Sequence, residues 1–277
     1  MLMQATQNKD PILKIEHLGI RYKNNVVALE DTSLSFFNGE FVVLLGLSGA
    51  GKSSLLRSLN HLVKPSSGRV ISASLGDLSS EKRLRKHRQK TAMIFQQHQL
   101  ILRQTVLQNV LTGRLANHHF LRSLLPLPKS DLDIALQCLE RVGLADKAMT
   151  RVDQLSGGQQ QRVGIARALA QQPDMIIADE PIASLDPSTA QKILELLKRV
   201  CQEDSIAAVV SLHQLEFARQ FADRIVGLAN AHVVFDAHPD QLDEAQLSRI
   251  YSSKKSESLI EKEDALESRP FVNLTST

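Results

Sequence analysis

The chain has 277 residues, of which 43% are hydrophobic and 23% charged, so it is long enough and apolar enough to bury a core. Its net charge of +3 is close to balance, which argues against nucleic-acid binding as the main activity. The only two cysteines, Cys138 and Cys201, form no CxxC pair, which fits a reducing compartment and excludes a Cys/His metal site.

Short apolar runs alternate with helical patterns along the chain. The polar start MLMQATQNKD does not have the pattern of a signal peptide, and no apolar run approaches the ~20 residues that span a bilayer. Nearly continuous apolar strands separated by helices predict a parallel sheet that is covered on both faces. The predicted strands are 41–45, 91–95, 175–178, 207–212, 224–228 and 232–235. The predicted helices are 52–61, 131–142, 157–171, 188–202, 214–222 and 240–250.

Three segments depart from this alternation. Residues 98–152 carry helical patterns without clear strands, which indicates a helical insertion in the α/β sheet. Residues 81–90, EKRLRKHRQK, are strongly basic; we interpret them as the exposed face of a helix, with contact to anionic lipid as the alternative. Residues 252–277 are polar and of mixed charge, which predicts a loosely packed tail.

The stretch GLSGAGKSS, residues 46–54, lies between a predicted strand and a predicted helix and matches G-x-x-x-x-G-K-[ST]. Its glycines let successive backbone N–H groups point at phosphate oxygens, and the helix that follows adds the positive end of its dipole. Lys52 is expected to reach the β- and γ-phosphates, and Ser53 to bind Mg²⁺. This phosphate loop comprises Gly46, Leu47, Ser48, Gly49, Ala50, Gly51, Lys52, Ser53 and Ser54.

A second acidic motif, DMIIADEP, is an apolar strand that ends in two carboxylates. Asp179 can hold Mg²⁺ at the strand end, and Glu180 can orient or deprotonate an attacking water. Such an acid pair is common in solvated turns, but after a phosphate loop it predicts hydrolysis of a nucleoside triphosphate.

The stretch LSGGQQQR, residues 155–162, predicts a second anion-binding helix start. Ser156 can cap the helix, and Gly157 and Gly158 leave its first N–H groups uncovered. A chain with one phosphate loop and one spare anion site suggests a composite site, closed by a second copy; an ordinary capped helix is the alternative.

With these motifs in this order, the sequence resembles the ATP-binding subunits of ABC transporters over about residues 12–251. The resemblance implies a P-loop α/β fold with a mainly parallel sheet, an N-terminal antiparallel β part and a helical insertion at about 98–165. Residues 252–277 remain a C-terminal tail. Further likeness in residues 93–115, 151–187 and 212–242 makes the phosphonate importer ATPases the most similar group.

The resemblance also assigns roles to residues outside the phosphate loop. It implies that Tyr22 stacks on adenine, that Gln96 contacts Mg²⁺ and the attacking water, and that His213 contacts the γ-phosphate. The SLD stretch that ends at Asp186 would meet the partner copy. The implied catalytic residues are Glu180, His213 and Gln96, the implied Mg²⁺ ligands are Ser53, Gln96 and Asp179, and the nucleotide of the partner copy would bind Ser156, Gly157, Gly158 and Gln159.

The resemblance therefore implies an ATPase with ATP and Mg²⁺ as cofactors that powers phosphonate import at the cytoplasmic face of a bacterial inner membrane. Its implied partners are a second copy in a head-to-tail dimer, two transmembrane permease subunits and, indirectly, a periplasmic solute-binding protein. The alternatives are an importer ATPase for phosphite, phosphate or a polar amino acid, a soluble ABC ATPase acting on nucleic acid or ribosomes, and a non-catalytic scaffold.

Overall fold

The structure, a computed structural model, describes residues 10–23, 25–96, 99–118 and 128–251. The strands in these ranges are β1 (Leu13–Arg21), β2 (Val27–Phe36), β3 (Phe41–Leu45), β4 (Ser67–Ser72), β5 (Gly76–Asp77), β6 (Thr91–Ile94), β7 (Met175–Asp179), β8 (Ala207–Ser211), β9 (Arg224–Ala229) and β10 (His232–Ala237). The helices are α1 (Lys52–Leu59), α2 (Glu81–Lys90), α3 (Val106–Leu111), α4 (Lys129–Arg141), α5 (Gly157–Ala170), α6 (Pro187–Glu203), α7 (Leu215–Phe221) and α8 (Glu244–Tyr251).

The strands form two sheets. The larger has the order β10-β9-β3-β8-β7-β6, in which β9, β3, β8, β7 and β6 run parallel and β10 is antiparallel to β9. The smaller is antiparallel, with the order β2-β1-β4-β5. The predicted fold class, a mainly parallel sheet with an antiparallel β part and a helical insertion, is confirmed.

The central strands are buried on both faces, which is why they read as continuous apolar runs. In β3, Val43 and Leu45 belong to one apolar core, between the larger sheet and helices α3 to α8. Val42 and Leu44 belong to a second core, which fills the space between the larger sheet, α1 and the smaller sheet. The larger sheet is therefore the middle layer of the molecule.

Parallel strands end at the same edge of a sheet, and this edge carries the polar residues that the sequence singled out. Asp179, the last residue of β7, is paired in register with Ser211, the last residue of β8. On the other side of β8, Ser211 is paired with Leu44, one residue before the end of β3. Ala178 of β7 is paired with Ile94, the last residue of β6.

One predicted helix is wrong. Residues 240–250 do not form a single helix, because Pro239–Gln241 is a 3₁₀ turn and α8 starts only at Glu244. Asp243 separates the 3₁₀ turn from α8. Its carboxylate accepts a hydrogen bond from the N–H of Gln246 at 2.7 Å, which is the bond of a helix N-cap. The basic segment 81–90 is helix α2, with its Lys and Arg side chains exposed and Leu84 and His87 buried. The predicted tail, 252–277, lies outside the described residues.

Candidate active site

The phosphate loop connects β3 to α1 and is pressed between two other backbones. Gly46 and Gly51 have φ angles of 148° and 108°. A Cβ atom on Gly46 would lie 2.2 Å from the carbonyl oxygen of Leu228, and one on Gly51 would lie 2.3 Å from that of Ala28. Both positions therefore require glycine for packing as well as for the turn, a requirement that the motif alone does not reveal.

The loop is open at its tip. A Cβ atom on Gly49, whose φ is 83°, would have no heavy atom within 4 Å. Leu47, Ser48 and Gly49 are exposed, whereas Ala50 and Gly51 are buried. The tip thus has free space above a fixed base, as a cradle for phosphate requires.

Lys52 is buried beneath this loop, with 4% of its surface exposed. Its ammonium donates hydrogen bonds to the carbonyl oxygens of Gly46 at 2.7 Å and Leu47 at 3.1 Å. Burial lowers the pKa of Lys52, and the negative charges of Glu180 and Asp179 act in the opposite direction. A third, anionic partner such as a phosphate would compensate the burial of this charge.

Asp179 is the centre of a hydrogen-bonded cluster. Its Oδ1 accepts from the hydroxyl of Ser53 at 2.8 Å and from that of Ser211 at 3.1 Å. Its Oδ2 accepts from the guanidinium of Arg57 at 3.3 Å, which forms an ion pair. A hydroxyl and a carboxylate side by side are hard oxygen donors of the kind that Mg²⁺ prefers, so Ser53 and Asp179 fit the cation.

Glu180 follows Asp179 with a φ of 50°, a left-handed conformation that is unusual for a residue other than glycine. Its N–H donates to the hydroxyl of Ser211 at 2.8 Å. Its carboxylate Oε1 lies 2.6 Å from Nε2 of His213. Two of the three predicted catalytic residues, Glu180 and His213, are thus in direct contact, and backbone strain of this kind is frequent at functional sites.

Tyr22 follows β1 directly and contacts the last residue of the phosphate loop. Its hydroxyl is 3.0 Å from that of Ser54, and 44% of the residue's surface is exposed. The structure therefore brings a partly exposed aromatic ring to the phosphate loop, where a base could stack.

Gln96 is less well connected. It is exposed and lies two residues after β6, at the same edge of the sheet as Asp179. No hydrogen bond joins it to the other site residues in the described ranges, and its neighbour Gln97 lies outside those ranges.

The second predicted anion site, the start of α5, is not joined to the phosphate loop by the contacts of the described residues. Ser156 caps α5 through a capping box, in which its hydroxyl accepts from the N–H of Gln159 and the amide of Gln159 accepts from the N–H of Ser156. Ser156 and Gly157 are exposed. A Cβ atom on Gly157 or Gly158 would lie close to Leu185 or Thr189, and no hydrogen bond in the described part of the chain joins this helix start to the phosphate loop. Asp186 in turn caps α6 through the N–H of Thr189 at 3.0 Å.

Two residues of the site were missed by the sequence analysis. Ser211 bonds both Asp179 and Glu180, and Arg57 pairs with Asp179. A serine that ends an otherwise apolar strand two residues before His213 was the available signal for Ser211. Arg57 stands four residues after Ser53, on the same face of α1.

Two kinds of feature are missing from the described ranges. No helix there combines the length and the apolar character needed to cross a bilayer. No group of three or more His, Cys, Asp and Glu side chains in the same ranges is arranged to hold a metal ion.

Comparisons with known proteins agree with this geometry. Residues 29–183 match the family model described as ABC transporter. The chain is 64% identical to the phosphite import ATP-binding protein PxtA of Stutzerimonas stutzeri over 246 residues, 89% of either chain. It is 57% identical to the phosphonates import ATP-binding protein PhnC 1 of Trichodesmium erythraeum over 242 residues, which are 87% of this chain and 96% of that one.

Solved structures show the same fold. The protein cbiO1 from Clostridium perfringens, part of the ABC transporter complex cbiONQ, superposes with a TM-score of 0.76 at 28% identity, over 94% of this chain and 100% of that one. The ATP-binding cassette MJ0796, solved as a dimer bound to ADP and Pi, superposes with a TM-score of 0.72 at 35% identity, over 82% of this chain and 98% of that one. The resemblance seen in the sequence motifs is thereby confirmed, and this chain belongs to the ABC transporter family.

Proposed function

We propose that this chain is the ATP-hydrolysing subunit that energises phosphonate import through an ABC transporter. For hydrolysis, the observation that carries the proposal is one hydrogen-bonded chain that runs from Ser53 through Asp179, Ser211 and Glu180 to His213. It connects the phosphate loop to the Glu180 carboxylate, which supports a water-orienting role for that group. For the solute, the proposal is supported by the names of relatives that cover 87–92% of this chain.

The base and the tip of the phosphate loop would both take part in binding ATP. Lys52 and the backbone N–H groups of residues 47–53 would hold the phosphates, and Tyr22 would stack on the adenine. Lys52 already donates to two carbonyl oxygens, so its remaining N–H can point at a phosphate without further movement of the stem.

Mg²⁺ would be held by Ser53 and by Asp179, directly or through water, and Gln96 would approach from the neighbouring strand end. The cation would neutralise charge on the phosphate oxygens as the terminal phosphate is transferred to water. Arg57 and Ser211 hold the Asp179 carboxylate in place, which fixes one ligand before the cation arrives.

Glu180 would position the attacking water. The bond to His213 fixes one of its carboxylate oxygens, and the N–H bond to Ser211 fixes its backbone, which leaves the other oxygen for water. His213 would also reach the terminal phosphate and stabilise the charge that develops there.

Two copies of the chain would close head to tail on two ATP molecules. The exposed start of α5, Ser156 to Gln159, would complete the site of the partner copy, and the Ser184–Asp186 stretch would lie at the contact. The ATP-binding domain would span residues 12–251, and its helical insertion, about 98–165, would contact two permease subunits in the inner membrane, supplied with solute by a periplasmic binding protein.

Phosphite is the second candidate solute, because the relative that is 64% identical is named a phosphite importer. Both solutes are tetrahedral phosphorus oxyanions, and nothing in the described part of this chain distinguishes them. The solute must therefore be determined by transport and not by nucleotide chemistry.

The experiment is uptake of labelled methylphosphonate and labelled phosphite by cells of the source strain in which the gene carries Lys52→Ala. The matched control is Lys82→Ala, an exposed lysine on α2. Loss of methylphosphonate uptake in the Lys52 variant alone supports the proposal, and loss of phosphite uptake alone supports the second candidate. Normal uptake of both solutes by the Lys52 variant refutes both candidate solutes. The ATPase activity of the purified native protein then shows whether the chain hydrolyses ATP.

A further inference from the structure

Three consecutive glutamines lie in the first two turns of α5, and their amides have different surroundings. Gln159 completes the capping box with Ser156. Gln160 donates from Nε2 to the carbonyl oxygens of Val152 at 3.3 Å and Leu155 at 3.1 Å. Gln161 is 0% exposed, and neither its Oε1 nor its Nε2 has a hydrogen-bond partner in the described part of the chain. Because a buried amide without a partner is unfavourable, Gln161 needs an explanation.

The helix geometry shows what Gln161 faces. Residues three and four apart share a helix face, and side chains lean toward the N-terminus, so Gln161 lies over Gly158 and Gly157. A Cβ atom on Gly157 would lie 3.6 Å from Cδ2 of Leu185, and one on Gly158 would lie 2.6 Å from Cγ2 of Thr189. The face of α5 that carries Gln161 therefore packs against Leu185 and the first turn of α6.

That segment offers acceptors. In the loop from Pro181 to Asp186, the N–H of Ala183 donates to the carbonyl of Glu180 at 3.3 Å, and the N–H of Leu185 donates to that of Ile182 at 3.2 Å. The carbonyl oxygens of Ser184 and Leu185 accept no hydrogen bond among the contacts described. Both are therefore available as acceptors.

We propose that Gln161 is a positioning residue for ATP hydrolysis, whose Nε2 donates to a carbonyl oxygen of the 183–185 loop when two copies close on ATP. The inference rests on the proposed function. Closure would act on the exposed start of α5 and on the 184–186 stretch at the same time, and Gln161 lies in the first two turns of that helix. Since the loop begins directly after Glu180, a bond made only in the closed form favours closure and fixes the position of the water-orienting carboxylate.

The test is Gln161→Met, which keeps the length of the side chain and removes both polar atoms. Without nucleotide, the variant is expected to be at least as stable in urea as the native protein, because it loses only an unpaired amide. With ATP, kcat is expected to fall roughly fivefold or more with little change in KM, because the amide does not touch ATP. In the Glu180→Gln background, the ATP-dependent dimer is expected to need more ATP to form, as measured by gel filtration.

Gln160→Met is the matched control, because it removes an amide that already has two partners. It is expected to lower the urea midpoint of the nucleotide-free protein, the opposite of the change at Gln161. Gln161→Leu serves as a second apolar variant should the methionine variant express poorly.

Two results would overturn the inference without refuting the proposed function, provided that the native protein hydrolyses ATP. One is a Gln161 variant with native kcat and a native dimer. The other is a large loss of stability without nucleotide, which would mean that the amide is already bonded in the open form. A native protein that does not hydrolyse ATP would instead refute the proposed function.

Discussion

Ser211 has one hydroxyl and uses it twice. The hydroxyl donates to Asp179 and accepts from the N–H of Glu180, which uses its single donor and one of its two lone pairs. Asp179 and Glu180 are adjacent in sequence but make different contacts. Ser211, on the neighbouring strand, is hydrogen-bonded to both and holds them in place.

Ser211→Ala is expected to lower the free energy of unfolding by about 1–3 kcal/mol, because the part-buried N–H of Glu180 loses its partner and Oδ1 of Asp179 loses one of its two donors. It should also lower kcat. Urea denaturation and steady-state ATPase assays measure the two effects. Ser211→Thr retains the hydroxyl and should restore much of both, and equal losses in the two variants would contradict this account.

Glu180→Gln retains the shape of the side chain and removes its negative charge. ATP hydrolysis is expected to fall on the order of 10²-fold or more, while ATP still binds and the dimer accumulates. Gel filtration with ATP and a phosphate-release assay test both parts. Normal phosphate release by the variant would show that Glu180 does not orient the water.

At the scale of elements, helix α3 begins with the same device as α5. Thr105 and Gln108 form a capping box, with the Thr105 hydroxyl accepting from the N–H of Gln108 at 3.2 Å. Thr105→Ala is expected to cost about 1 kcal/mol of stability, measured by urea denaturation. Thr105→Ser keeps the cap and is the control; an equal loss in the serine variant would assign the effect to packing of the methyl group.

A buried ion pair fastens α4 to the 3₁₀ turn that follows α3. Asp131 accepts hydrogen bonds from Arg114 at 2.9 Å and from His118 at 2.5 Å. Burial by itself raises the pKa of Asp131, but the bonds from His118 and Arg114 outweigh it and hold the pKa below its ordinary value. The contribution to stability is therefore present above the unfolded pKa of about 4 and is lost as the pH falls through the lower, folded pKa.

Asp131→Asn is expected to cost about 3 kcal/mol at pH 7, because it leaves the Arg114 guanidinium buried without a charge partner. The difference in stability between native protein and variant should shrink as the pH is lowered from 5 to 3. Urea denaturation at several pH values measures it. A difference that stays constant over this range would show that the charge of Asp131 is not the cause.

The sequence predicted the strands of the larger sheet well, because they are buried on both faces and read as continuous apolar runs. The pattern of residues 13–21 did not reveal strand β1. The buried residues of β1, Leu13, Ile15, Leu18 and Ile20, depart from strict alternation at the register shift between Ile15 and Leu18. His17 has a φ of 49° at this point, and a bulge of this kind changes the face to which later residues point.

The candidate site also contains residues that the sequence predicted and residues that it did not. Residues in local motifs, such as Lys52, Asp179 and Ser156, could be predicted because the spacing itself encodes the geometry. Ser211 and Arg57 could not be assigned, because their partner Asp179 lies on another element and is brought to them only once the sheet and helices are packed. Gln161 could not be assigned either, because its burial without a hydrogen-bond partner is a property of the packed structure.

At the scale of the whole molecule, the core around helices α3 to α8 contains both cysteines. Burial raises the pKa of Cys138 to about 11 and that of Cys201 to about 12. Both thiols should therefore stay protonated and unreactive in the folded protein. Thiol reagents at pH 8 are expected to label neither cysteine until urea unfolds the chain, and rapid labelling of the native protein would contradict this burial.

The phosphate loop lies where the two sheets meet, since Gly51 packs against the backbone of β2, Tyr22 follows β1, and the loop itself continues β3. A nucleotide held by Tyr22 at one end and Lys52 at the other would contact both sheets. By linkage, ATP at 100 times its dissociation constant adds about 2.7 kcal/mol to the free energy of unfolding. The cellular level of ATP would then determine how firmly the antiparallel layer is held to the rest of the protein, as well as how often the protein hydrolyses it.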